Sequence, residues 1–268
     1  MLRTVSARLS FTTVAQTKVA MAVAAAHNSG YTSFDETLSV TAGGEPVAWR
    51  ELVDGHGGRF HVLEFAEPSD VEVDYTATVG GQAVPAAIDE MELIRYVRPS
   101  RYAESDRLLP TAYGQFRKLA GADFVVAVRK WVHEQLSYVS GSSRGTDGAV
   151  ETLLHRRGVC RDYAHLAIAL LRAKDVPARL TAVYAPGLRP MDFHAVAEAY
   201  VDGAWHVIDP TGLASRAGML RITAGRDSSD TAFLSTVGGS LVLRRLSIAA
   251  EADCELPDDD PGSLAVIR

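Results

Sequence analysis

One dipeptide constrains this chain more than any other feature. Asp202-Gly203 stands between two runs that alternate apolar and polar residues, His194–Val201 and Ala204–Asp209. A two-residue Asp-Gly loop with such flanks specifies an antiparallel hairpin closed by a primed turn. Val201 then pairs with Ala204, and stepping outward places Asp209 opposite Val196. His194 lies two residues along the same face, so it and Asp209 become diagonal neighbours within side-chain reach. A slip of one residue would put them on opposite faces. A carboxylate beside a histidine fixes its tautomer and stabilises the imidazolium, which equips the ring for proton transfer.

The run Arg179–Tyr184 continues the period-two pattern upstream, and helical spacing precedes it. Pro110 opens Thr111–Leu119, which Gly121 stops; Phe124–Leu136 follows, then a Gly/Ser-rich loop over Tyr138–Gly148 and a short helix, Ala149–Arg157, ending at Gly158. The strongest helix is Cys160–Lys174, with Tyr163, Leu166, Ala167, Leu170 and Leu171 as its apolar stripe. Cys160 opens that helix. The first N–H groups of a helix are unpaired and carry partial positive charge. They favour a thiolate, the nucleophilic form of cysteine, and can also bind the oxyanion of a tetrahedral intermediate. Cys160 is therefore the candidate nucleophile, His194 its base and Asp209 the residue that orients His194. Each has a plainer reading: a buried thiol, a core histidine, and a turn former ahead of Pro210-Thr211. Asp162, in the first turn, answers the helix dipole, and His165 is expected to pack. Cys160, His165, His194 and Asp209 contain no close ligand pair of zinc-site spacing, so no metal is expected.

Residues before about 90 read as β structure. The runs Val5–Thr13, Lys18–Ala25, Phe34–Thr41, Arg59–Phe65 and Val71–Val79 are separated by glycine turns, which suggests a small antiparallel sandwich. Arg3 and Arg8 ahead of the apolar Val19–Ala26 imitate a secretion signal, but Gln16-Thr17-Lys18 interrupts it, so strands are expected instead. With 47% hydrophobic and 22% charged residues the chain is globular, and no stretch approaches membrane-spanning length. A net charge of -6 without a basic stripe argues against a nucleic-acid partner held through phosphates. The acidic run Asp258-Asp259-Asp260 reads as a solvated tail. Cys160 and Cys254 are the two cysteines, too few for a disulfide scaffold, and they predict a cytoplasmic protein.

Three ordered blocks carry a resemblance: Gly158-Val159-Cys160-Arg161-Asp162-Tyr163-Ala164-His165-Leu166, Asp192-Phe193-His194-Ala195, and Trp205-His206-Val207-Ile208-Asp209-Pro210-Thr211. Together they resemble the bacterial transglutaminase-like superfamily, as does Gly225-Arg226-Asp227-Ser228-Ser229-Asp230, while Pro99-Ser100-Arg101-Tyr102 looks like the start of its domain. The resemblance implies an α+β chain: a papain-like transglutaminase core over residues 99–268 and an N-terminal β-sandwich-like domain over residues 1–98. It implies a Cys160–His194–Asp209 triad, no cofactor, and acyl transfer through a Cys160 thioester on a peptide, protein or small amide substrate. Tyr138, by position, is the expected second oxyanion donor. Animal cross-linking enzymes have Trp directly after the nucleophile, where this chain has Arg161, so hydrolysis is expected ahead of amine incorporation. A non-catalytic binding or scaffold protein on the same fold is the rival of another class.

Overall fold

The computed structural model describes residues 1–85 and 88–268. In chain order the strands and helices are β1 (Leu2–Thr13), β2 (Thr17–Met21), β3 (Tyr31–Ala42), β4 (Glu45–Pro46), β5 (Arg50–Val53), β6 (Arg59–Phe65), β7 (Asp70–Gly81), α1 (Glu90–Tyr96), α2 (Leu109–Phe116), α3 (Gly121–Gln135), β8 (Ser137–Tyr138), α4 (Ala149–His155), β9 (Arg157–Gly158), α5 (Cys160–Arg172), β10 (Ala178–Tyr184), β11 (His194–Val201), β12 (Ala204–Ile208), β13 (Leu220–Gly225), α6 (Ser228–Thr231), β14 (Leu234–Thr236) and β15 (Leu241–Ala252).

The N-terminal region is β-rich because its strands alternate. Along β1 the side chains of Val5, Ala7, Leu9 and Phe11 are buried, and along β7 those of Val71, Val73, Tyr75, Ala77 and Val79. Period two puts all of them on one face of their sheet, whose strand order is β15-β1-β7-β3-β4. A second sheet, ordered β14-β2-β6-β5, contributes Val19, Met21, Leu63 and Phe65 to the same apolar cluster. The Val19–Ala26 stretch that imitates a signal is a buried strand running into buried loop.

The C-terminal region is a mixed α/β core. Its antiparallel sheet runs β12-β11-β10-β13, and α5 packs on it with Leu166, Ile168, Leu170 and Leu171 fully buried. Burying each such side chain contributes about 1.5–3 kcal/mol, which makes α5 the main hydrophobic spine of the core. The β11–β12 hairpin adopts the expected register, from Val201↔Ala204 to Ala197↔Ile208. Asp202 and Gly203 both take positive φ, 52° and 80°, as a primed turn requires.

Two findings depart from the linear reading. After α6 the chain leaves the core: β14 pairs with β2, and β15 pairs with β1 from Arg3↔Ala252 to Thr13↔Leu241. Strands from both ends of the sequence thus share one sheet. Tyr184, Leu220 and Ile222 of the core sheet are buried in the cluster of the β-rich region, and the Tyr184 hydroxyl donates to Val23 O at 2.7 Å. The acidic tail is also not simply solvated. Asp259 accepts from Arg129 Nη2 at 2.8 Å and from Arg216 Nε at 2.7 Å, while Arg216 also donates to the backbone oxygens of Val207, Asp260 and Ser263. Two nearly buried guanidinium groups need a carboxylate to remain charged away from water. Asp259→Ala should therefore lower unfolding free energy by about 3 kcal/mol, measured by urea denaturation. An unchanged midpoint would show the tail to be dispensable.

Candidate active site

Cys160 is the first residue of α5, and its neighbours explain the sharp entry into that helix. Gly158 pairs with Tyr138 in the two-residue parallel β8–β9 ladder. A Cβ at Gly158 would lie 2.6 Å from Asp162 Cβ, so only glycine lets the chain run this close to the helix. The short helix α4 ends earlier than expected, with Arg156 rather than Gly158 taking the left-handed conformation at φ 56°. Asp162 is fully buried and caps the entrance, its Oδ2 accepting from Val159 N–H at 2.8 Å. Arg161 turns back onto Asp162 Oδ1 at 3.0 Å and also donates to Arg144 O, fastening the Gly/Ser-rich loop to the helix.

The hairpin delivers the other two residues. His194 Nε2 lies 2.8 Å from Asp209 Oδ2, with both side chains buried. Asp209 is held from every side: its Oδ1 accepts from Thr211 N–H at 2.9 Å and from the Thr211 hydroxyl at 2.6 Å, and its backbone oxygen accepts from Arg129 Nε at 3.0 Å. Thr211 was legible as part of an Asp-Pro-Thr turn, whereas nothing local in the α3 sequence marks Arg129 as a support for Asp209.

The electrostatics follow from this packing. Burial opposes a charged His194, but the Asp209 carboxylate, its hydrogen bond and the neighbouring Cys160 outweigh that cost and raise the imidazole to about 10. Burial likewise opposes an ionised Asp209, and His194 and Thr211 overcome it to hold the carboxyl below its usual range. His194 is therefore an imidazolium at neutral pH, and its other ring nitrogen, Nδ1, is left for the sulfur side.

Cys160 is partly accessible and Cys254 is exposed, and both are free thiols. Cys160 and His194 line one cavity of about 720 Å³ together with Arg161, Asp192 and Phe193. Tyr138 lies beside Cys160, its ring 6.0 Å from that of Tyr163. Burial, then the charge of Cys160, push its phenol up to about 12, while the adjacent Cys160 N–H works the other way. The hydroxyl thus keeps its proton at neutral pH. His165 sits apart from this chemistry, stacked on Tyr102 at 5.5 Å with Nε2 accepting from Ser228 N–H at 3.2 Å. Burial drives it down to about 4, so it is neutral. Among the described residues no group of three or more His, Cys, Asp and Glu is arranged to hold a metal ion.

A family model described as the transglutaminase-like superfamily matches residues 112–210, the span that contains Cys160, His194 and Asp209. A solved structure of a candidate cysteine protease from Cytophaga hutchinsonii is similar with 32% identity and a TM-score of 0.89, covering 98% of this chain and 96% of that one. An uncharacterized protein of Mycobacterium leprae is 30% identical over 136 residues, 47% of this chain and 48% of that protein, so the match spans about half of that relative's length. The expected cytoplasmic location is withdrawn. Similar solved structures also include the periplasmic domain of TgpA from Pseudomonas aeruginosa, at 18% identity over 76% of this chain and 87% of that one, with a TM-score of 0.44. Scarce cysteines fix no compartment in this fold, because a nucleophilic thiol has to stay free in any of them. No helix among the described residues is long and apolar enough to cross a membrane. The chain belongs to the transglutaminase-like superfamily of papain-like fold, whose shared chemistry is acyl transfer.

Proposed function

We propose that the chain is a cysteine-nucleophile hydrolase of amide or peptide bonds, with Cys160 as nucleophile, His194 as acid and base, and Asp209 as the group that orients and charges His194. One observation carries the reading: the helix-opening Cys160 and His194, which is hydrogen-bonded to the buried Asp209 behind it, line a single cavity. The Cys160 sulfur adds to the carbonyl carbon, and the displaced electron pair settles on oxygen. The N–H groups at the start of α5 and the Tyr138 hydroxyl receive that oxyanion. Collapse breaks the C–N bond while the His194 imidazolium protonates the leaving amine, giving a thioester. Water then loses a proton to His194, attacks the thioester and releases the acid and the thiol. Peptide, protein or small amide substrates all fit this chemistry.

We assign the β-sandwich form to the N-terminal region on the strength of its shared apolar cluster. Its proposed boundary at residue 98 is extended by β14 and β15, which pair with β2 and β1.

At pH 7 iodoacetamide should alkylate Cys160 at least about tenfold faster than Cys254, and His194→Ala should remove the difference. Equal rates in the wild type would sink the catalytic reading. Incorporation of a labelled primary amine into an acyl product, in place of hydrolysis, would mark a transamidase instead.

A further inference from the structure

The cavity holding Cys160 extends well beyond the three reacting residues, and its far wall comes from outside the papain-like core. Phe233, Ser235, Thr236 and Val237 line it. The last three are consecutive, so their side chains alternate between the two faces of the strand. A cavity that touches both faces runs along the strand's edge rather than over one face.

That edge has unused backbone groups. β14 is the terminal strand of its sheet, with β2 as its neighbour on one side. Phe233 O accepts from Ala22 N–H at 3.0 Å, and Val237 N–H donates to Lys18 O at 2.9 Å. In an antiparallel ladder alternate residues exchange these bonds, so residues 233, 235 and 237 face β2. Leu234 and Thr236 consequently direct their N–H and C=O groups away from it, and among the described residues those groups have no backbone partner. Donors and acceptors repeating every second residue match the backbone of an extended peptide. Phe193 and Phe233 stack at 5.0 Å on the way from His194 to β14, and offer an apolar surface to a side chain of that peptide.

We infer that β14 is a substrate-recognition edge: an extended peptide adds to it as a fifth strand, pairing with Leu234 and Thr236, and this pairing presents its scissile carbonyl to Cys160. The inference rests on the hydrolase reading above and narrows its substrate to extended peptide rather than small amide. It also gives the returning C-terminal segment a function, since the segment that seals the β-rich region supplies the reading edge.

The test uses the whole chain and epoxide inactivators, whose ring Sγ opens by forming an S–C bond as the C–O bond breaks and the oxygen gains a proton. One set carries a single apolar residue, another an extended tetrapeptide on either side of the epoxide. The tetrapeptide should modify Cys160 at least about tenfold faster, the equivalent of one strong pair of hydrogen bonds. N-methylation of alternate amides should abolish the gain, and methylation of the amides between them should not. Thr236→Pro removes an outward N–H at an edge position that tolerates proline. It should lose the tetrapeptide advantage and keep wild-type alkylation by iodoacetamide. Normal iodoacetamide reactivity with no dependence on peptide length or N-methylation overturns the edge inference alone. If iodoacetamide does not distinguish Cys160 from Cys254, the hydrolase reading falls and the inference falls with it. The methylation series uses the unaltered protein, so it decides the matter even if Thr236→Pro does not fold.

Discussion

His194→Ala should cut the rate of peptide hydrolysis by about a thousandfold or more while leaving the protein folded, because general acid–base catalysis alone supplies about 10²- to 10⁴-fold. The pH dependence of the wild type is the sharper part of this expectation. His194 ordinarily titrates near 6.5 and is raised to about 10 here. The protonated ring is thus the form that the fold stabilises. That stabilisation is fully present below about 6.5 and is lost as pH rises through about 10. Asp209 is shifted the other way, so its contribution is present above its ordinary value of 3.8 and is lost as pH falls through its lowered one. Activity that needs the imidazolium should therefore persist through neutral pH and fall on an alkaline limb near 10. In Asp209→Asn the neighbouring charge is gone, and the limb should move toward neutrality. A wild-type limb between 6 and 7, measured as kcat/KM against pH, would show that Asp209 does not hold His194 charged.

The second large effect lies on the same strand as His194, away from the nucleophile. Glu198 is fully buried and accepts from Arg179 Nε at 2.8 Å, Thr181 Oγ1 at 2.7 Å, and Arg221 Nη1 and Nη2 at 2.7 Å each. Burial alone would neutralise this carboxyl. Arg179 and Arg221 outweigh burial and hold it far below the usual carboxylate range. The Arg179 guanidinium also lies 4.1 Å from the centre of the Trp205 ring, so the cluster ties β10, β11, β12 and β13 together. Glu198→Gln leaves Arg221 without its counter-charge and Arg179 with only the Glu92 carboxylate, 4.0 Å away. Breaking a buried pair from one side costs about 3–5 kcal/mol. For a chain of this size that corresponds to a fall in melting temperature of roughly 10 °C. Calorimetry reads it directly, and a shift under about 2 °C would mean that water or a rearranged partner replaces the carboxylate. Cys160 alkylation below the transition should be unaffected, which separates this role from that of His194.

How far the residues alone reveal the site depends on sequence distance. His194 and Asp209 are 15 residues apart and joined by one tight turn, so turn chemistry and strand parity suffice to bring them together. Gly158, Cys160 and Asp162 form one local unit, a close approach followed by a capped helix start, and the thiol's position could be read from it. Glu198 is a charge inside an alternating strand, but the sequence reading does not single it out, and nothing local names its partners. Arg221 comes from β13, where it pairs with Val183 of β10, and no period in the sequence encodes that pairing. Arg129 and Asp259, 130 residues apart, meet for the same reason: the packed core leaves both little access to water. An acidic run and a helix arginine look like ordinary surface residues until the fold takes that water away.

The sequence by itself determined the hairpin and its register, the helix that begins at Cys160, and the alternation that makes the N-terminal region β-rich. All of these follow from local periodicity and from the conformations that Asp-Gly and Gly-x-Cys segments favour. Only the tertiary structure decided that β15 returns to β1, that Asp259 anchors the two buried arginines, and that the free edge of β14 borders the cavity of Cys160. These arrangements join segments that share no period, and they are selected by burial of apolar faces and by the cost of leaving charges unpaired in the core.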